Sequence, residues 1–293
     1  MFSIIGFFAQ LVDGALGMAY GATSASLLIM IGVAPAAASA SIHLAEVATT
    51  AASGASHLWF GNVDRGMAFR LIVPGAAGAF AGAAFLSRMP GEWMRPFVSG
   101  FLILLGVYIL FRFLRMKPPS SFSARQSPKC SGAFLVPLGC VGGFLDAVGG
   151  GGWGPVTTPA LMAKAAASPR KVIGTVDTSE FAVAVSATLG FLIFLGPEQI
   201  HWRWVAALVI GGVAAAPLAA WLVKILPAHL MGVLVGGFII LTNVRTLATS
   251  TDLVPDAWKP AVYGIVILLW SAAVIRQLAG RGRLVRRPPH TTI

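Results

Sequence analysis

Five of the ten acidic residues in this chain, Asp13, Glu46, Asp146, Asp177 and Glu180, lie within or beside long apolar stretches. An ionised carboxylate at bilayer depth costs about 3 kcal/mol on insertion scales, so such residues are functional by default. A carboxyl group that gains and loses a proton there is a candidate proton carrier. Glu46 also belongs to a stripe, His43, Glu46, Thr50, Ser53 and His57. The steps of 3 and 4 put these side chains on one helical face, which should look into a bundle interior. Asp177, Glu180 and Ser186 form a weaker counterpart. We assign Asp13, His43, Glu46, Thr50, Asp146, Asp177 and Glu180 to a coupling or transport pathway. Asp13 and Asp146 have a structural alternative, capping the turns in which they sit.

Those turns carry the second kind of chemistry. The apolar stretches 2–33 and 132–163 are each interrupted at the centre by glycine-rich sequence. The interruptions begin at Asp13 and Asp146, and each leaves arms of about 11 residues, ~16 Å at the helical rise, or half a bilayer. A half-helix then starts near Ala22 and near Pro155, and proline suits a first helical position. The N–H groups and positive dipole end of such a half-helix suit an oxyanion. Glycine lets the backbone come close to it. The candidate substrate-binding residues are Gly17, Tyr20, Gly21, Thr23 and Ser24 at the first break. At the second they are Gly149, Gly150, Gly151, Gly152, Trp153, Gly154, Thr157 and Thr158. The alternative is that the glycines only permit tight helix packing. No Gly-Lys-Ser/Thr follows either run, so neither is a nucleotide loop.

The rest of the chain reads as the frame for these groups. With 57% hydrophobic and 11% charged residues and a mean hydropathy of +0.82, it must use lipid as its solvent. Its N-terminus reads as structure rather than as a signal peptide. Six or seven stretches are long enough to span a bilayer, placed near 36–60, 67–88, 92–114, 169–196, 203–224, 228–249 and 258–277. The two halves repeat. At an offset of 133, Asp13, Gly17, Tyr20 and Gly21 match Asp146, Gly150, Trp153 and Gly154. At 134, Glu46 matches Glu180, and at 137 Pro90 matches Pro227.

Loop charge decides whether the broken stretches cross. Reading each as one span leaves 10 of the 21 basic residues inside, whereas reading each as a re-entrant hairpin leaves 16. The positive-inside rule favours hairpins. Each repeat then holds a hairpin and three spans, an odd number of crossings, so the repeats are inverted and the tips meet near the midplane. That is an architecture of secondary transporters. The expected fold is an all-α polytopic membrane protein. A first repeat, 1–115, carries hairpin 2–33. A cytoplasmic linker, 116–131, leads to a second repeat, 132–249, with hairpin 132–163. An unmatched helix at 258–277 and a basic cytoplasmic tail, 278–293, complete the chain. The N-terminus would lie outside.

At Gly149-Gly150-Gly151-Gly152-Trp153-Gly154-Pro155 with Pro159, the sequence resembles the sulfite exporter TauE/SafE family, also called the toluene-sulfonate uptake permease family. The duplicated layout, the Gly/Thr/Ser-rich helix after each hairpin and the basic central linker add to the likeness, which covers roughly residues 4–249. The first tip departs from the pattern in being only partly glycine. The resemblance implies sulfite, sulfonates and related sulfur-containing anions as substrates, and a cell membrane such as the bacterial inner membrane as the location. The residues alone reach only "small anion".

Other classes find little support. The net charge of +11 comes from two short basic clusters, as in cytoplasmic loops, and not from a nucleic-acid surface. Neither HExxH nor a G-x-S-x-G elbow occurs, so no enzyme is expected. Cys130 and Cys140 have no metal-ligand spacing, and His57 lies three turns from Glu46, so neither a metal nor another cofactor is expected. The expected function is secondary transport of a small anion, with membrane lipid around it and protons as the candidate coupling ion. An anion channel and a non-transporting assembly subunit are the alternatives.

Overall fold

The computed structural model describes residues 1–16, 18–115, 131–164, 169–225, 228–251 and 253–285. Gly17, all of the linker except Ser131, and the tail beyond 285 lie outside these residues. The described residues contain no strand. Their helices are α1 (Phe2–Leu16), α2 (Tyr20–Met30), α3 (Pro35–Trp59), α4 (Arg65–Arg88) and α5 (Gly91–Leu114). The second half supplies α6 (Gly132–Gly149), α7 (Trp153–Lys164), α8 (Pro169–Phe194), α9 (Trp202–Ile225), α10 (Ala228–Ser250) and α11 (Lys259–Val285). Local chemistry sets several starts. Pro35 opens α3 after an extended Ala34, and the Asp64 side chain accepts the Met67 N–H at 3.0 Å to cap α4.

Six described helical segments are long and apolar enough to cross a membrane: Arg65–Arg88, Gly91–Leu114, Gly132–Gly149, Lys171–Phe194, Leu230–Ser250 and Asp256–Ala279. α3 has the length, at 25 residues, but its polar stripe keeps it out of this set. The outer surface is apolar, with Trp93, Ile210, Leu104 and Leu268 all largely exposed, as a lipid-facing surface requires.

Two expectations on boundaries change. α2 and α7 have the expected arm length, 11 and 12 residues, but α1 and α6 have 15 and 18. α1 runs through Asp13 to Leu16 and α6 runs through Asp146 to Gly149, because neither aspartate ends its helix. The reversal after α6 is made instead at Gly150, whose φ of 71° is left-handed. The last helix also runs on to Val285, past the expected end at 277.

The halves interlock. α6 packs along α4, and α1 along α9. Both contacts are glycine-lined and parallel. A Cβ on Gly143 would lie 2.1 Å from the Gly75 carbonyl oxygen, and one on Gly211 would lie 2.0 Å from that of Ser3. Matched helices of the two halves run antiparallel. α5 meets α10 with Gly106 against Gly236 and Phe113 against Gly232. α3 meets α8 with His57 against Asp177 at one end and His43 against Phe191 at the other. The offset of 134 residues turns the first of these pairs into the second. α11 packs on α10 alone among the strong contacts, with the Trp270 indole donating to the Val233 carbonyl oxygen at 3.1 Å.

Candidate functional site

The two breaks meet. A Cβ on Gly151 would lie 2.0 Å from the Ala22 nitrogen, and one on Gly21 would lie 2.4 Å from the Gly150 oxygen and 2.9 Å from the Glu46 Oε1. Only glycine allows two backbones this near one another, and φ is 156° at Gly151. Both aspartates cap the half-helices that follow. The Asp13 Oδ1 accepts the Tyr20 N–H at 3.2 Å. The Asp146 Oδ1 accepts those of Gly152 and Trp153 at 2.7 and 2.9 Å. The Asp146 carbonyl oxygen also takes the N–H groups of Gly150 and Gly151, at 2.7 and 3.2 Å. Four successive tip N–H groups are thus committed to one residue. Donors that sequence alone places at an anion are, in this arrangement, held by Asp146.

The hydroxyls remain open. Thr23, Ser24 and Thr158, with the Tyr20 phenol, are buried and have no hydrogen-bond partner. Thr157 differs from its neighbour, since its hydroxyl donates to the Trp153 carbonyl oxygen within α7. Trp153 is fully buried, and its indole donates to the Val176 carbonyl oxygen of α8 at 3.1 Å. Gly149 lies against the Phe101 ring, and Gly154 against Met18.

The stripe on α3 faces inward as expected, with His43, Glu46 and Thr50 buried. The His43 Nδ1 lies 2.8 Å from the Ser39 carbonyl oxygen. A carbonyl only accepts, so Nδ1 carries a hydrogen. The His43 Nε2 lies 3.2 Å from the Asp146 Oδ2 and 4.0 Å from the Glu46 Oε2. The contact with Asp146 is a hydrogen bond only when Nε2 or Oδ2 also holds a proton. The Glu46 Oε2 has no hydrogen-bond partner. Glu180, on α8, is within electrostatic reach of Glu46, Asp146, Asp177 and Asp13.

His43, Glu46 and Asp146 each bring one ligand atom within 4.8 Å of the others, the one described group with metal-binding potential. Sequence reasoning weighed His57 for this set, but His57 lies 3.8 Å from Asp177 instead. The His43–Asp146 pairing joins residues 103 positions apart, a separation that no spacing rule detects. Asp13, Thr50 and Asp177 line a separate polar cavity of about 160 Å³ with Gln10, Thr49, Ser53, His57 and Ile173. Ser53 donates to Asp177 there at 2.6 Å. The expected coupling residues thus divide between the tip cluster and this cavity.

Comparison with known proteins agrees with this frame. Residues 2–246 match the family model described as sulfite exporter TauE/SafE. The chain is 54% identical over 282 residues to the probable membrane transporter protein YtnM of Bacillus subtilis (strain 168), covering 96% of this chain and 93% of that protein. No solved structure matches. A family match over nearly the whole length, joined to apolar helices of spanning length around a buried polar centre, identifies the chain as a multi-pass membrane transporter of the sulfite exporter TauE/SafE family.

Proposed function

We propose that this chain is a secondary transporter of small sulfur-containing or organic anions, such as sulfite or sulfonates, coupled to protons. One observation carries the reading. Four buried hydroxyls have no partner, those of Tyr20, Thr23 and Ser24 on α2 and of Thr158 on α7, and the tip that carries α2 brings Gly21 against the Glu46 carboxyl group. A buried hydroxyl without a partner costs about 1–3 kcal/mol, which a bound oxyanion would recover. The family description supplies the substrate class, and the antiparallel run of α3 and α8 supports inverted repeats. If α6 and α7 together crossed the membrane, α8 would run parallel to α3; a re-entrant α6–α7 hairpin makes it antiparallel. Tips meeting between inverted halves suit alternating access.

The proton path follows from the same cluster. Glu46 and Glu180 occupy matched positions, and the His43–Asp146 contact needs a proton of its own. An ionised carboxylate repels an incoming anion strongly in a low dielectric, and protonation removes that repulsion. The test is sulfite uptake into proteoliposomes across about pH 5 to 8, with and without a proton gradient. The parent should accumulate sulfite against its gradient, which a channel or an assembly subunit does not. Glu46→Gln and Glu180→Gln should keep anion binding and lose the pH dependence. Two Gln variants that respond to pH as the parent does would assign both glutamates to structure.

A further inference from the structure

Arg112 stands in the last turn of α5, half-buried, with its guanidinium turned toward the bundle. Its Nη1 lies 3.6 Å from the Met18 Sδ at the first tip, and its Nη2 lies 3.5 Å from the Met162 Sδ on α7. The Tyr108 hydroxyl one turn back is its remaining polar contact among the described residues, and the Phe113 ring centre is 5.7 Å away. No carboxylate among the described residues forms an ion pair with it. A thioether is a weak acceptor, whereas a guanidinium is a fork of five donors shaped for two oxygens of one anion. The cation therefore rests on partners that an oxyanion would readily replace.

The face of α7 that meets it holds the second observation. Gly154, Thr158 and Met162 are spaced by four and lie on one face. Gly154 meets Met18, and Met162 meets Arg112. Between them, one helical turn (about 5.4 Å) from Met162, is Thr158, fully buried and with its hydroxyl unpartnered. Methionine is unbranched and flexible, so the two thioethers can move aside without breaking a strong bond.

We propose that Arg112 and Thr158 form an anion subsite between α5 and α7, sleeved by Met18 and Met162, that takes the substrate oxyanion at the end of the bundle where α5 stops and passes it to the hydroxyls of Tyr20, Thr23 and Ser24 at the first tip. The subsite rests on the anion-transport reading, deepens it, and makes Arg112 a determinant of substrate capture. Sulfite and methanesulfonate uptake would be measured for the parent, Arg112→Gln, Arg112→Lys, Thr158→Val and Leu268→Ala. Vesicles would be of phosphatidylcholine alone and of phosphatidylcholine with phosphatidylglycerol. Arg112→Gln should raise KM about tenfold or more, as for a lost charge-assisted contact, with the maximal rate and the thermal midpoint of the ligand-free protein little changed. Arg112→Lys should fall between it and the parent, Thr158→Val should raise KM, and Leu268→Ala, on the exposed face of α11, should leave KM near the parent value. A parental KM in Arg112→Gln, with the parent active, overturns the subsite alone. So does a KM effect confined to vesicles with phosphatidylglycerol, which would assign Arg112 to a lipid phosphate. A parent that moves neither anion overturns the transport reading itself.

Discussion

Asp146 shows how one side chain can define a tip. Its carbonyl and carboxylate oxygens gather the four N–H groups from Gly150 to Trp153, while its second carboxylate oxygen faces His43. Asp13 repeats the cap on Tyr20. Gly151 is the most constrained tip residue, because its Cβ position is occupied by the backbone of Gly21 and Ala22. Gly151→Ala should cost about 1–3 kcal/mol, read as a lowered thermal midpoint in detergent. Gly100→Ala, where nothing lies within 4 Å, should behave as the parent. Equal midpoints for the two variants would mean that the tips do not touch as described. The capping role of the aspartates was legible from glycine following aspartate at a repeated offset. The split between Thr157, bonded to its own helix, and Thr158, open, was not, because adjacent threonines in a first turn look alike until rotamers are set.

At the scale of elements, the repeat offset and the polar stripe on α3 were readable because both are periodic. The lengths of α1 and α6 were not. Glycine and aspartate mark where a helix can stop, but the sequence does not say at which of several glycines the chain reverses. The glycines of α4 and α6 are the clearest case of composition becoming packing. Gly75, Gly78 and Gly82 meet Gly139, Cys140, Gly143 and Phe144 with backbone against backbone. Small residues are what let helices approach this closely where lipid offers no hydrophobic drive. Gly143→Val should force α4 and α6 apart. The expected outcome is a sharp loss of monodisperse protein on size-exclusion chromatography in mild detergent. An unchanged profile would show that this contact tolerates separation.

For the molecule as a whole, α3 and α8 run antiparallel, the relative direction that re-entrant hairpins would require. The orientation of the termini follows from the same reasoning and has a direct test. A phosphatase reporter active only outside the cytoplasm, fused after Arg287, should be silent, and the same reporter at the N-terminus should be active. An active C-terminal fusion would reverse the assignment. What loop charge could not reveal is which helix of one half touches which helix of the other, since that depends on matching surfaces far apart in the chain.

That matching has a bearing on how the protein is made. The glycine-lined surface of α1 closes on α9, and that of α4 on α6. Nearly two hundred residues separate the end of α1 at Leu16 from the start of α9 at Trp202. At a synthesis rate of ~5–20 residues per second, α1 waits roughly 10 to 40 s in the bilayer before its partner has been translated. Neither half can complete its own interior, because each lends a helix to the other. The first half therefore leaves the ribosome as an open clasp that the second half must fasten, and assembly is governed by the last helices to arrive.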